Sequence, residues 1–132
     1  MKLLTTQQIA KLTENGHPQN RDKDHFPVVK LFTPDAQATW LLTDLDYEFP
    51  DIAYGLCDLG MGFPELGDAY MPEIIALRGK LGLPVERDRH FKAKYPISVY
   101  AEAARMNQMF TENTDILDRA KAKLASERCL VL

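Results

Sequence analysis

The densest group of side chains that could do chemistry in this chain lies in one short polar stretch, Glu86–His90. Five consecutive positions hold two carboxylates, two guanidinium groups and an imidazole. If the backbone is extended there, Glu86, Asp88 and His90 point to one side, because successive side chains of a strand alternate between its two faces. Such a face could bind a hard divalent cation such as Mg²⁺ or Mn²⁺, with these three as catalytic residues.

A second pair of carboxylates, Asp44 and Asp46, could complete an oxygen-rich metal site together with Glu86 and Asp88. The pair ends a run of strand-forming residues, and alternation puts both on the same face as Trp40. A metal ion held by these carboxylates would activate water and stabilise the negative charge that develops on a phosphate. This is the arrangement that a metal-dependent nuclease requires.

Basic side chains around the same stretch are the best candidates for binding a single-stranded nucleic acid. They are Arg78, Lys80, Arg87 and Arg89. The acids between them predict a weak, salt-sensitive contact. The alternation of acid and base is also typical of a surface salt-bridge network, which has no catalytic role. The two interpretations differ in the neighbours of Asp88, which would be other metal ligands in the first case and arginines in the second.

The elements that must position these residues belong to one domain of ordinary globular composition. The chain has 132 residues, of which 45% are hydrophobic and 27% charged, enough to form a core without metals or disulfides. Residues 1–66 carry 10 acidic and 5 basic side chains, whereas residues 67–132 carry 9 and 11. A patch facing a polyanion could lie in the second half, but the net charge of −3 is not that of a dedicated duplex-DNA binder.

Hydrophobic periodicity and turn residues predict an α+β fold. We expect a small, mainly antiparallel sheet with an N-terminal helix, a central helix and two C-terminal helices packed on it. The first helix has a capping box at Thr5 and Gln8, and Asn15-Gly16 predicts a left-handed stop. The expected strands are residues 28–33, 39–46 and 52–57, the expected loop is 60–67, and the later helices begin near Pro72, Pro96 and Thr114.

The two cysteines indicate a reducing compartment. Cys57 and Cys129 have no paired spacing, no signal peptide precedes them, and no apolar run is long enough for a membrane helix, so we expect a cytoplasmic protein with no membrane contact. The tail 129–132, CLVL, formally fits a lipidation pattern. An apolar tail that docks on the core is the alternative interpretation.

Several motifs, in this order along the chain, resemble one protein family. They are KLLT, VVKLFTP, TWLLTDLD, DIAYGLCDLG, PELG, LRGKLGLPVERDRHF and ISVYAEAAR. Together they are similar to the family catalogued as domain of unknown function 2958, from about residue 1 to residue 105. We therefore expect a family domain over 1–105 and a C-terminal helical extension over 106–132. The segment GDAYM (67–71) departs from the family pattern.

The resemblance implies a bacterial protein, frequently encoded on plasmids and other mobile elements near antirestriction and DNA-transfer genes. Some relatives carry the label of single-stranded DNA endonuclease. The first hypothesis is accordingly a nucleic-acid-associated accessory protein, in its sharpest form a Mg²⁺- or Mn²⁺-dependent nuclease. The alternative is a non-enzymatic module, anti-defence or regulatory, that binds a host protein through the acidic hairpin Asp44–Asp58.

Overall fold

The described part of the chain forms four helices and five strands, consistent with the expected α+β class. The computed structural model describes residues 2–131, and side chains as far as residue 128. In chain order the elements are α1 (Thr6–Asn15), β1 (Val29–Phe32), β2 (Thr39–Leu45), β3 (Ile52–Asp58), β4 (Glu65–Tyr70), α2 (Met71–Ala76), β5 (Glu86–Arg87), α3 (Ile97–Asn107) and α4 (Thr114–Val131). The expected N-terminal, central and two C-terminal helices are all present.

The five strands form one antiparallel sheet in the order β4-β3-β2-β1-β5. Consecutive hairpins join β1 to β4, whereas β5 returns to the far side and pairs with β1. That return brings the polar stretch at Glu86 to the sheet edge, where it lies beside both faces.

Helices cover both faces of the sheet, so the domain has two hydrophobic cores. On one face, Leu12 of α1 and Ile74 of α2 pack against Leu31 and Leu42. The opposite core consists of Leu41 and Leu56 of the sheet with residues of α3 and α4, namely Ile97, Val99, Tyr100, Ala101, Ala103, Ala104, Leu117 and Ala120. A sheet buried on both faces reaches solvent mainly at its edges and loops.

Helix α1 begins as expected and ends differently. Thr5 and Gln8 form the reciprocal capping box. The prediction of a left-handed stop is wrong, because Gly16 has φ −83° and stays in the right-handed region. Glycine is needed there for space: a Cβ at Gly16 would lie 1.7 Å from the carbonyl oxygen of Leu45.

A β-bulge in β2 changes which face its carboxylates occupy. The pairing with β3 shifts between Leu42 and Asp44, leaving Thr43 as the extra residue. Leu45 therefore joins Trp40 in the first core. The expectation that Asp44 and Asp46 share a face with Trp40 is wrong, because one inserted residue reverses the alternation beyond it.

The expected loop over 60–67 is wrong in its second half, where edge strand β4 begins at Glu65. Its sequence, ELGDAY, contains residues that disfavour strands, and most of its side chains are exposed. Pairing of all six β4 residues with β3 fixes this conformation.

The last helix is capped by Asn113, rather than by Thr114 as expected. The side-chain oxygen of Asn113 accepts a hydrogen bond from the backbone N–H of Ile116 at 3.2 Å. In the described part of the chain, no helix is long and apolar enough to cross a bilayer. The CLVL tail lies outside the residues whose side chains are described.

Candidate functional site

The stretch Glu86–Arg89 forms a ridge between two surface cavities at the β5 edge of the sheet. Glu86, Arg87 and Arg89 line both cavities. We call the cavity on the α3 side the cleft and the cavity on the α1–α2 side the groove. The polar stretch that stood out in the sequence therefore contributes to two different surfaces.

The cleft, of about 900 Å³, contains the sequence-predicted residues Glu86, Asp88 and His90. Their expected alternation continues only as far as Asp88, whose backbone N–H donates to the carbonyl oxygen of Lys30 at 2.9 Å. After Asp88 the chain turns, and the carboxylate of Asp88 accepts the backbone N–H of His90 at 2.9 Å. The carboxylate that was expected to bind a metal thus caps a turn.

Lys30 is the charged centre of the cleft wall. Its ammonium lies 3.2 Å from a carboxylate oxygen of Asp88 and 2.8 Å from one of Glu112, and 5.1 Å from the ring centre of Phe110. The two carboxylates raise the pKa of Lys30 against the opposing effect of its burial. The N–H of His90, with the charge of Lys30 in support, lowers the pKa of Asp88. Charges on this wall are therefore compensated within the protein.

A buried carboxylate holds the opposite side of the cleft. Asp58 is 3% exposed, and its oxygens accept the backbone N–H of Gly60 at 2.8 Å and of Phe110 at 2.7 Å. These bonds join the end of β3 to the segment after α3. One wall of the cleft is thus fixed by the contacts of Asp88 and the other by those of Asp58.

The second predicted carboxylate pair lies elsewhere. Asp44 and Asp46 line a third cavity, beside Tyr54 and Asp68. Asp44 accepts the hydroxyl of Thr43 at 2.6 Å, and burial raises its pKa. Asp46 caps the β2–β3 turn by accepting two backbone N–H groups, those of Glu48 and Phe49, at 2.9 Å each.

The four predicted metal ligands do not come together. Glu86 and Asp88 line the cleft, whereas Asp44 and Asp46 line the third cavity. Over the residues that the structure describes, no three His, Cys, Asp or Glu side chains are placed to hold a metal ion. Asp88 instead has the cationic neighbour that the salt-bridge interpretation predicted, although the cation is Lys30 and not an arginine.

The groove, of about 800 Å³, has an aliphatic floor. Its apolar lining comes from the N-terminal segment, α1, the β2–β3 hairpin, α2 and the residues before β5: Leu3, Leu4, Ile9, Leu45, Pro50, Met71, Ile75, Pro84 and Val85. Ile75 remains 55% exposed although it lies among these side chains. Ile9 of α1 is 40% exposed and also belongs to the groove.

Three of the predicted nucleic-acid-binding residues line the rim of this groove. We call Arg78, Arg87 and Arg89 the arginine rim. Arg78 donates to the backbone carbonyls of Ile75 at 3.0 Å and Leu77 at 2.8 Å. Arg87 donates to the carbonyl of Leu3 at 2.8 Å.

Lys80, the fourth predicted basic residue, is exposed in the 79–83 loop and apart from this rim. Asp35 holds that loop by accepting the backbone N–H groups of Leu81 at 2.6 Å and Leu83 at 3.3 Å. The loop leaves no room for a side chain at Gly79, where a Cβ would lie 1.7 Å from the same carboxylate. The LRGKLGLP motif thus has a structural role: its contacts with Asp35 fix the path of the chain that leads into the ridge.

Two features of these cavities were missed in the sequence. The strand pattern over residues 28–33 does not set Lys30 apart, although a lone lysine in an apolar strand can indicate an internal ion pair. The groove had no local pattern, because its residues come from five separate segments.

Comparison with protein families gives one match, to the family described as "Protein of unknown function (DUF2958)", over residues 3–111. The match contains every element except α4, which begins at Thr114. Comparisons with curated proteins and with solved structures gave no significant match. The ridge, the cleft wall and the groove all lie within the matched residues, and the chain belongs to the DUF2958 family.

Proposed function

We propose that this protein is a non-enzymatic interaction module that binds an apolar segment of a partner protein in the groove. The observation that carries the proposal is the aliphatic floor, which is open to solvent and of a size suited to several side chains. Exposed apolar surface of this kind is typical of interaction sites. Such a module would act as an accessory protein in the mobile-element setting that the family resemblance implies.

The β2–β3 hairpin extends the proposed surface beyond the groove. Pro50 and Asp51 line the groove, while Tyr47 and Phe49 at the hairpin tip are 56% and 61% exposed. Aromatic side chains at such positions often contribute much of the binding energy of an interface. The hairpin that the sequence suggested as a contact surface would then contribute to the interface through its aromatic tip.

The internal compensation of charge in the cleft supports a binding role over a catalytic one. Asp88 is engaged by Lys30 and by the N–H of His90, and Asp58 by two backbone N–H groups. A catalytic carboxylate needs an oxygen that is available to a metal, a water or a substrate proton.

Site-specific photo-crosslinking tests the binding role. A photoreactive amino acid at Ile75 should give one discrete protein adduct in the cells that make this chain. The matched control is Met106 on α3, which is 40% exposed and on the other side of the sheet. The purified partner should bind the wild-type chain and bind Ile75→Glu at least tenfold more weakly. Equal crosslinking from both positions would contradict the proposal.

The nuclease hypothesis remains a separate prediction with its own assay. Purified protein with single-stranded DNA and Mg²⁺ or Mn²⁺ should show no cleavage if the interaction role is correct. Cleavage that disappears in Asp88→Ala, with the fold retained, would restore the enzymatic hypothesis.

A further inference from the structure

We infer that the partner segment held by the groove is acidic, with carboxylates that pair with the arginine rim. This inference rests on the proposed function and adds the chemistry of the ligand. It depends on how the guanidinium groups of Arg78 and Arg87 are held, on the charge of the groove and on the nature of its floor.

Two of the three arginines of the rim are held by neutral groups. Arg78 and Arg87 donate to backbone carbonyls of Ile75, Leu77 and Leu3. A carbonyl fixes the position of a guanidinium without neutralising its charge. Among the described residues, no carboxylate oxygen lies within 4.0 Å of a guanidinium nitrogen of the rim, whereas Lys30 has two such partners.

Positioned and uncompensated guanidinium groups suit an incoming carboxylate. Each guanidinium has five N–H donors, so the bonds to carbonyls leave donors for a planar anion. Holding the side chain in place beforehand reduces the conformational entropy lost on binding. Arg78 and Arg87 therefore combine charge, spare donors and preorganisation, and Arg89 adds a third charge whose donors are all available within the described part of the chain.

The charge of the groove is opposite to that of the whole chain. Four cationic side chains line it, Lys2 and the three of the rim, against the two anionic side chains of Asp51 and Glu86. The chain as a whole has a net charge of −3. The cations therefore attract an acidic partner locally, while the rest of the surface does not favour polyanions in general.

The floor favours a polypeptide over a single-stranded nucleic acid. The lining contains leucine, isoleucine, valine, methionine and proline but no aromatic side chain. Proteins that bind single strands stack bases on aromatic rings, which this floor does not offer. Aliphatic pockets beside arginines fit a segment whose apolar side chains alternate with Asp or Glu.

A random 12-residue peptide library displayed on phage tests the inference with the full-length chain. Selection on wild-type protein, after depletion on Ile75→Glu, should enrich peptides with more Asp and Glu than the input library, together with apolar residues. Synthetic copies should lose at least tenfold in affinity for Arg89→Glu and much less for Arg119→Glu, an equal charge change on exposed α4. Arg89 suits this test because the described residues give it no hydrogen-bond partner.

The outcomes separate the inference from the proposed function. The acidic partner would be overturned if the enriched peptides had no excess of Asp and Glu, or if Arg89→Glu and Arg119→Glu bound them with equal affinity. The groove would then remain a binding site for a segment of other charge. No enrichment over Ile75→Glu would overturn both. A fluorescent oligothymidylate whose binding is lost in Ile75→Glu would assign the groove to single-stranded nucleic acid and overturn the acidic peptide.

Discussion

The cleft and the groove share one ridge, but their charged side chains have different neighbours. In the cleft, Lys30 is surrounded by carboxylates and Asp88 by cationic or N–H groups. In the groove, Arg78 and Arg87 are held by carbonyls that leave their charge uncompensated. A charged side chain with an internal counter-ion maintains the fold, whereas a fixed charge without one can bind a partner. Neighbouring residues of the same stretch thus have different roles.

The largest effect should follow removal of the carboxylate that joins the cleft walls. Asp58→Ala removes a buried carboxylate that accepts the backbone N–H groups of Gly60 and Phe110. We expect a loss of about 3 kcal/mol in the free energy of unfolding. Urea denaturation measures it, with the exposed groove residue Asp51→Ala as control. A loss no larger than in the control would show that Asp58 does not fix the cleft.

An intermediate effect is expected for the ion pair of the cleft wall. Lys30→Met leaves the carboxylates of Asp88 and Glu112 without their cation and should cost about 2 kcal/mol. A double-mutant cycle with Asp88→Asn should give a coupling energy of about 1 kcal/mol. The corresponding cycle for Arg89→Met and Glu86→Gln on the ridge should give none. Equal coupling in both cycles would remove the distinction between compensated and uncompensated charges.

The third effect is a pH dependence that differs between two carboxylates. The pKa of Asp88 is lowered in the folded protein, so its stabilisation is present above the ordinary value of 3.8 and is lost as the pH falls through the folded pKa. Asp88→Asn should therefore lose stability less steeply in acid. The pKa of Asp44 is raised, so its protonation favours folding, and Asp44→Asn should lose stability more steeply. Urea unfolding at pH 5, 4 and 3 measures both slopes against that of the wild type, and a change of slope in the same direction for both variants would contradict this assignment.

The smallest effect on stability is expected at the arginine rim. Arg89→Gln removes an exposed charge with no carboxylate partner among the described residues, so the free energy of unfolding should change by less than about 0.5 kcal/mol. Thermal denaturation measures this change. A larger loss would mean that Arg89 supports the fold, and the contrast between groove and cleft would fail.

Elements whose conformation is determined by nearby residues could be predicted from the sequence. The capping box at Thr5, the β-rich runs of the hairpins and the helical spacing of Leu117 and Ala120 depend on neighbours within a few residues, and the structure has them. Strand β4 was missed, because its conformation depends on pairing with β3 and not on its own propensities.

The site was harder to predict, because it depends on which segments meet. The sequence located the ridge and the basic residues of its rim. It did not indicate that Lys30 would reach Asp88, or that Leu3 and Ile75 would share one cavity. Such contacts depend on β5 crossing to the far edge of the sheet, which no short pattern encodes.

The bulge at Thr43 makes the length of β2 as important as its composition. The alternation of side chains between the two faces changes phase at the bulge. Trp40 and Leu45 therefore both face the first core, although they are an odd number of residues apart. Deleting Thr43 would remove the extra residue and restore a regular alternation, so Asp44 and Leu45 would keep their present faces. A deletion elsewhere in β2 that left the bulge in place would exchange the faces of the residues on one side of it. The two faces of this strand therefore depend on the bulge together with the number of residues around it.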